Sequence, residues 1–343
     1  MTNRTLFTLG FLLASLAALP AHGQVVSQLR AARFYPPNMP NAPTTPGGGV
    51  VLGNRFWLCD GFESFLPLDP VDPANPDPVN TGLLFPDQGL DLISFVPSCG
   101  QVASDGNSIV YLADYTQPRG RGFYSGGVKR VLYQGSELIF VQDTIASTAG
   151  LAGDNPTALA LGPDGNLYVG FLKNGNVKRI VGPATGLTQA VQSVGGTPNG
   201  RPTRAMAFVG SDLYIANTAG LAVIRNAVSA ACQGGCNAVP VQDGFSGISH
   251  VGLTTDGINK LYMSINNQVW RYTISSGVSA LISAGGVDPS GVNLSYLFEG
   301  GKTDLLQLDR LGNLWIGDDT GDGAVNFQGR IFYISAAALA TVP

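Results

Sequence analysis

The chain has 343 residues, of which 46 are glycine and only 12% are charged, and its formal net charge is −4. A hydrophobic fraction of 44% with so few charges excludes an intrinsically disordered chain. The small negative charge, without any run of basic residues, also argues against nucleic acid as a partner. The glycines follow no collagen-like period, so they indicate many tight turns.

Residues 1–23 have the layout of a cleaved secretory signal peptide. Arg4 precedes an apolar run from Leu6 to Leu19, and the small-residue site Ala21–Gly23 follows. The apolar run is too short for a good membrane span. We therefore predict an exported mature chain, periplasmic or secreted, that begins near residue 24 and has no transmembrane segment.

An aromatic residue follows a turn six times along the chain, at a period near 50 residues. Short alternating strands and Asp-Gly or Gly-Asn turns accompany it, which is typical of propeller blades. We predict an all-β fold, a single six-bladed β-propeller over residues 24–343 with four antiparallel strands in each blade. The marker residues are Trp57, Tyr111, Tyr168, Tyr214, Tyr262 and Trp315. The predicted blades are 48–97, 98–147, 155–195, 202–243, 247–285 and 303–343.

The last predicted blade lacks a good fourth strand, because AAALATVP follows its third strand. Residues 24–36 are therefore expected to supply the missing strand and to close the ring.

In four blades an arginine ends or follows the apolar part of the third predicted strand. We interpret these arginines as exposed or paired charges of the outer strands, not as an anion-binding ring. They are Arg130, Arg179, Arg225 and Arg271.

The segments PTALALGPDGNLYVG and LDRLGNLWIGDD resemble NHL repeats and related six-bladed propellers, which include the gluconolactonase and streptogramin-lyase types. The resemblance extends over about residues 48–335 and implies the fold more than the function, since one fold hosts many activities. Lactonase-type propellers hold a divalent metal with a glutamate and asparagines at the top of inner strands. The corresponding positions here, Gly47–Val51, Pro156–Thr157 and Arg201–Thr203, lack those ligands, which argues against lactonase chemistry.

Three long loops are predicted after the second strands of blades 1, 2 and 6, at Asp60–Gly82, Asp114–Gly127 and Asp318–Gly329. They lie on the face where second and fourth strands end, which we call the top face, and their blades are neighbours in a closed ring. Long loops on a rigid scaffold usually carry function. We predict a scaffold that binds an envelope or extracellular protein, or a small ligand, through this sector. Aromatic and arginine side chains are the candidate contacts: Phe62, Phe65, Tyr115, Arg119, Arg121, Phe123 and Tyr124.

The alternative is a metal-assisted hydrolase or lyase acting at the top of the central channel. His250 is the one histidine after the signal peptide, and Asp304 is its candidate partner at the start of the next inner strand. Asp318, Thr320, Asp322 and Gly323 match the opening of a calcium loop, but Gly329 stands where the helix–loop–helix motif has its glutamate. A looser Ca²⁺ site formed by Asp318, Asp319 and Asp322 stays open beside an aspartate-capped loop, and no other cofactor is expected.

Four cysteines in an exported chain favour two disulfides. Cys59 ends the second predicted strand of blade 1, and Cys99 precedes the first strand of blade 2, so we predict that they pair at one blade junction. Cys232 and Cys236 enclose two glycines that allow a tight bend, which predicts a short-range disulfide. A shared metal site is disfavoured because the two pairs belong to distant blades.

Overall fold

The computed structural model describes residues 29–32, 46–52, 55–60, 64–68, 90–91, 99–114, 127–134, 137–144, 156–184, 190–232, 234–243, 251–265, 268–283, 305–318 and 330–342. These residues form six sheets arranged as the blades of a β-propeller, which confirms the predicted all-β fold class. No helix in these ranges is long and apolar enough to cross a membrane.

Each sheet is one blade, and its strands run from the central channel outward. Blade 1 contains β2 (Pro46–Leu52), β3 (Arg55–Asp60), β4 (Ser64–Leu68) and β5 (Leu90–Asp91). Blade 2 contains β6 (Cys99–Ser104), β7 (Ile109–Asp114), β8 (Gly127–Gln134) and β9 (Glu137–Thr144). Blade 3 contains β10 (Pro156–Leu161), β11 (Leu167–Phe171), β12 (Asn176–Ile180) and β13 (Val191–Gly196), with β17 (Cys236–Asn237) as a fifth strand.

Blade 4 contains β14 (Thr203–Val209), β15 (Asp212–Asn217), β16 (Gly220–Ile224) and β18 (Val239–Asp243). Blade 5 contains β19 (Leu253–Thr255), β20 (Lys260–Ile265), β21 (Gln268–Thr273) and β22 (Val278–Ser283). Blade 6 contains β23 (Leu306–Leu308), β24 (Leu314–Asp318), β25 (Arg330–Ile334) and, outermost, β1 (Leu29–Ala32). A short helix, α1 (Ala336–Ala340), follows β25.

The outermost strand of blade 6 comes from the other end of the chain. β1 pairs antiparallel with β25, with Leu29 opposite Ile334 and Ala32 opposite Ile331. The third strand of blade 6 thereby has a hydrogen-bonded neighbour on each side. This pairing joins the two ends of the described chain within one sheet.

The marker aromatics lie in the second strands of their blades, and their burial explains why they repeat. Tyr111, Tyr168 and Tyr214 are each at most 1% exposed. Tyr168 packs in a core cluster with Met206 and other residues of blade 4, so the cluster joins two blades. Its hydroxyl also donates to a carboxylate oxygen of Asp164, in the preceding turn, at 3.0 Å. The repeat therefore marks the contacts between blades.

The expected exposure is wrong for three of the four arginines, although Arg179 is paired, as the interpretation also allowed, with Asp164 at 3.8 Å. Arg130, Arg179 and Arg271 are only 7%, 5% and 6% exposed. Strand register places each of them opposite the marker tyrosine of its own blade, on a face that the next blade covers. Each donates from Nη1 to a backbone carbonyl of that next blade. The acceptors are Pro183 at 3.0 Å, Val228 at 3.5 Å and Val342 at 2.9 Å.

The fourth arginine shows why register decides burial. Arg225 lies one residue beyond the end of β16, and Tyr214 is instead opposite Val223. The Arg225 side chain is 59% exposed and forms an ion pair with Asp212 at 2.5 Å. Among the four arginines, the expected exposure therefore holds for Arg225 alone.

The predicted long top-face loop of blade 1 is also wrong. β4 pairs directly with β3, with Phe65 opposite Cys59, so only residues 61–63 connect the second strand to the third. Residues 69–89 instead connect β4 to β5. The end of β4 and the start of β5 lie on the face opposite the top, which is the bottom face. Pro67 suggested a loop, but a proline fits a strand position that does not need its N–H group.

The turns between first and second strands contain aspartates that predict an acid-sensitive fold. Burial alone would raise the pKa of Asp105 and Asp256, but several backbone N–H donors outweigh it, and both pKa values lie below the ordinary 3.8. A carboxyl group whose pKa is lower in the folded state than in the unfolded state stabilises the fold when it is ionised. This stabilisation is full above the unfolded-state pKa and is lost as pH falls through the folded-state pKa. We expect the Asp105→Asn/Asp256→Asn variant to lose less stability than the parent between about pH 5 and about pH 3, measured by urea unfolding. Equal losses would contradict this assignment.

Candidate functional site

The top ends of four inner strands touch one another closely. A Cβ on Gly48 would lie 2.6 Å from the carbonyl oxygen of Gly100, and a Cβ on Gly100 would lie 2.6 Å from that of Thr157. The Thr157 hydroxyl donates to the carbonyl oxygen of Thr203 at 2.8 Å. Blades 1–4 therefore form a continuous wall at the mouth of the channel. We call these four residues the collar.

The collar coincides with an irregularity that recurs in four blades. The register between first and second strands shifts next to Gly48 in blade 1, next to Thr157 in blade 3 and next to Arg204 in blade 4. In blade 2 the shift falls between Cys99 and Val102. β-Bulges redirect side chains and are frequent at the rims of closed sheets and near functional sites. The top mouth is thus the place where this scaffold departs from regular strand geometry.

Gln101, which lies within the bulge of blade 2, reaches across blade 3 to blade 4. Its amide nitrogen donates to the carbonyl oxygen of Met206 at 2.9 Å. Its amide oxygen accepts from the N–H groups of Met206 at 2.9 Å and Leu159 at 3.1 Å. Inner strands have a free edge toward the channel, so these bonds satisfy backbone groups that have no strand partner. A long polar side chain at an inner-strand position is the one signal by which this residue could have been found from the sequence.

The collar does not fit a metal centre of the lactonase type. Its glycines and threonines offer no carboxylate, imidazole or thiol. Within the described ranges, no three His, Cys, Asp or Glu side chains are grouped so that they could hold a metal ion. His250 and Asp304 lie outside those ranges, as do Asp319 and Asp322, and Asp318 ends β24.

The strands at the ends of the predicted contact loops lie within the described residues. Phe65 lies in β4 and is removed from the loop set. The loop of blade 2 begins and ends at the cross-strand pair Asp114 and Gly127, and that of blade 6 at the pair Asp318 and Arg330. Inner strand β2 of blade 1 contacts the inner strands of blades 2 and 6. The other candidates are outside the described residues: Phe62, Tyr115, Arg119, Arg121, Phe123 and Tyr124.

One predicted disulfide is confirmed and the other stays a prediction. Cys232 and Cys236 are bonded in the connection between the third and fourth strands of blade 4. The side chains of Cys59 and Cys99 are not among those described. Their strands are close, because Cys59 is opposite Gly48, which contacts Gly100.

Comparison with known proteins identifies the fold and no family. No family model and no curated protein matches the chain. The chain is similar to an auxiliary nutrient-binding protein from Bacteroides ovatus, with a TM-score of 0.52 and 11% identity over 85% of this chain and 69% of the other. It is also similar to PQQ-bound aldose sugar dehydrogenase from Streptomyces coelicolor, with a TM-score of 0.53 and 14% identity over 90% of this chain and 98% of the other. Virginiamycin B lyase from Staphylococcus aureus is similar with a TM-score of 0.50 and 12% identity, over 90% of this chain and 98% of the other.

Proposed function

We propose that the protein is an exported binding propeller of the NHL-related type that captures a ligand or protein partner on its top face. The observation that carries the proposal is the arrangement of blades 6, 1 and 2. Blades 2 and 6 each extend a long loop from a paired strand end, over residues 115–126 and 319–329. Blade 1, between them, has a short connection, residues 61–63, between its second and third strands. Long loops on a rigid scaffold usually carry function, so the loops of blades 2 and 6 are the proposed binding elements.

The collar of blades 1–4, the part of the channel mouth described above, is compatible with a binding role. The collar contains no catalytic side chain, and the Gln101 amide is engaged by backbone groups of two other blades. A binding role needs only a rigid scaffold with adaptable loops. A protein of the same fold is named as an auxiliary nutrient-binding protein, which is consistent with this use of the fold. The Cys232–Cys236 disulfide is typical of an oxidising compartment and supports export.

The loop of blade 2 contributes the predicted affinity, through Arg119, Arg121 and the aromatic residues Tyr115, Phe123 and Tyr124. We expect a soluble oligosaccharide or peptide, found by array screening, to bind the Arg121→Ala/Tyr124→Ala variant about tenfold more weakly, since arginine and tyrosine dominate interfaces. Calorimetry measures this, and the melting temperature should change by no more than a few degrees. Arg201→Ala, an exposed substitution at the top of blades 3 and 4, is the matched control. Weaker binding by the control alone would place the site elsewhere.

The alternative function is a metal-assisted hydrolase or lyase that uses His250 and Asp304. The residues that directly follow them, Val251 and Leu305, are buried at the start of adjacent inner strands. Those strands are joined by a bond from the Leu308 N–H to the Thr254 hydroxyl at 3.3 Å. Metal analysis separates the proposals. A stoichiometric divalent ion that is lost in His250→Ala/Asp304→Ala would favour the enzyme.

An ion that is retained in that variant would instead indicate structural calcium. The aspartates of the blade 6 loop, Asp318, Asp319 and Asp322, would then be its ligands. Replacing Asp322 by asparagine should release such a calcium ion, because a carboxylate ligand is lost.

A further inference from the structure

A segment of blade 4 serves as the outermost strand of blade 3. In the connection between its third and fourth strands, Cys236 and Asn237 pair in parallel with Gly195 and Gly196 of β13. Two backbone bonds frame this pair: the Gly234 N–H donates to Ser193 O at 2.8 Å and the Ala238 N–H donates to Gly196 O at 2.9 Å. Among the six described sheets, only blade 3 has a fifth strand. We call residues 232–238 the clip.

The clip needs a glycine on the strand beneath it. A Cβ on Gly195 would lie only 1.7 Å from the carbonyl oxygen of Cys236, where no atom can fit. Gly235, inside the clip, is different, because a Cβ there would meet no atom within 4 Å. A substitution at Gly195 therefore tests the contact with blade 3, whereas a substitution at Gly235 changes only the flexibility of the clip.

The disulfide holds the clip in the shape that this contact requires. Cys232 is 2% exposed at the end of a short 3-10 helix, Ala230–Cys232, whereas Cys236 is half-buried and follows two exposed glycines. The residues just before the clip are also attached to blade 3. The carbonyl oxygens of Ala227 and Val228 lie 3.3 Å from the Tyr168 hydroxyl and 3.5 Å from Arg179 Nη1. The disulfide thus links the segment that is attached to blade 3, just before Cys232, to the added strand at Cys236.

We propose that the Cys232–Cys236 disulfide is a redox-sensitive lock on the edge of blade 3. A dithiol reductant would break the S–S bond, supplying two electrons and two protons, so that two cysteine thiols form and the reductant becomes a disulfide. Residues 234–238 would then leave β13, while the four strands of blade 3 stay paired. The exposed edge of β13 would offer free N–H and C=O groups to another extended strand.

Hydrogen exchange measured by mass spectrometry on the mature chain tests the lock. In Cys232→Ser/Cys236→Ser, which leaves Cys59 and Cys99 intact, amides of residues 234–238 should exchange at least about tenfold faster. Peptides of β11 and β14 should keep their protection. Dithiothreitol should produce the same local change in the wild-type protein, and reoxidation should reverse it. Unchanged exchange in the variant, or a disulfide that resists dithiothreitol in the folded protein, would overturn the proposal.

A second pair of variants keeps the test decisive if the double serine variant fails to fold. Gly195→Ala should release the clip while the disulfide remains intact, because the added methyl group occupies the position of the Cys236 carbonyl oxygen. Gly235→Ala should behave like the wild-type protein. Wild-type protection in Gly195→Ala would show that the clip does not rest on β13. No ligand is involved, so the result is independent of the binding function proposed above.

Discussion

Replacing Arg271 with leucine is expected to lower the free energy of unfolding by about 3 kcal/mol. The guanidinium is 6% exposed and donates to the carbonyl oxygen of Val342 at 2.9 Å, which attaches the C-terminal end of blade 6 to blade 5. Leucine would leave that carbonyl without this donor. It would also remove the positive charge beside Tyr262, which lowers the pKa of that tyrosine against the larger effect of burial.

Arg225→Leu is the matched control for this prediction. The residue follows the third strand of blade 4, but its side chain is 59% exposed and its partner Asp212 lies at the surface. Exposed ion pairs contribute about 0–1 kcal/mol, so the melting temperature should change little. Similar losses in both variants would mean that the arginines act through surface charge, as their sequence pattern first indicated. Urea unfolding followed by tryptophan fluorescence distinguishes the outcomes.

The contrast between these arginines shows how far the sequence predicts this fold. The aromatic period and the Asp-Gly turns are local signals, and they predicted the blades and their second strands. Burial of Arg179 depends on its being opposite Tyr168 and beneath the connection of blade 4. That connection is about 50 residues further along the chain, and its path follows from packing that no local pattern encodes.

The candidate site shows the same division. The ends of the long loops of blades 2 and 6 were predictable, because turn-rich stretches separate clear strands there. In blade 1 the apolar run Phe65–Leu68 is a strand, but it is short and contains Pro67, so its composition favoured a loop. The clip on blade 3 was not predictable either, since a two-residue parallel pair between blades leaves no periodic signal.

The contact of Gln101 with Met206 joins residues 105 positions apart in the sequence, and Gln101→Leu is expected to have the second large effect. The substitution nearly conserves volume. It leaves the N–H groups of Leu159 and Met206, both 1% exposed, without the acceptor they share. At about 1–3 kcal/mol for each unsatisfied buried group, the loss is about 3 kcal/mol, or about 4–5 °C in melting temperature for a chain of this size. Gln307→Leu is the control, since its amide nitrogen donates to the carbonyl oxygen of the adjacent Leu308 within the same blade.

Gln101→Glu separates hydrogen bonding at this position from packing. The carboxylate can still accept from the two N–H groups, but it cannot donate to the carbonyl oxygen of Met206, which lies 2.9 Å from the present amide nitrogen. A protonated glutamic acid regains a donor. Burial and the facing carbonyl both raise the pKa of the introduced carboxyl group above its usual range. The pKa of this carboxyl group is then higher in the folded state than in the unfolded state. The variant should therefore be least stable relative to the wild-type protein at neutral pH, and this loss of stability should shrink as pH falls through the raised pKa. A deficit that does not change with pH would mean that Gln101 fills space between the inner strands and that its hydrogen bonds contribute little.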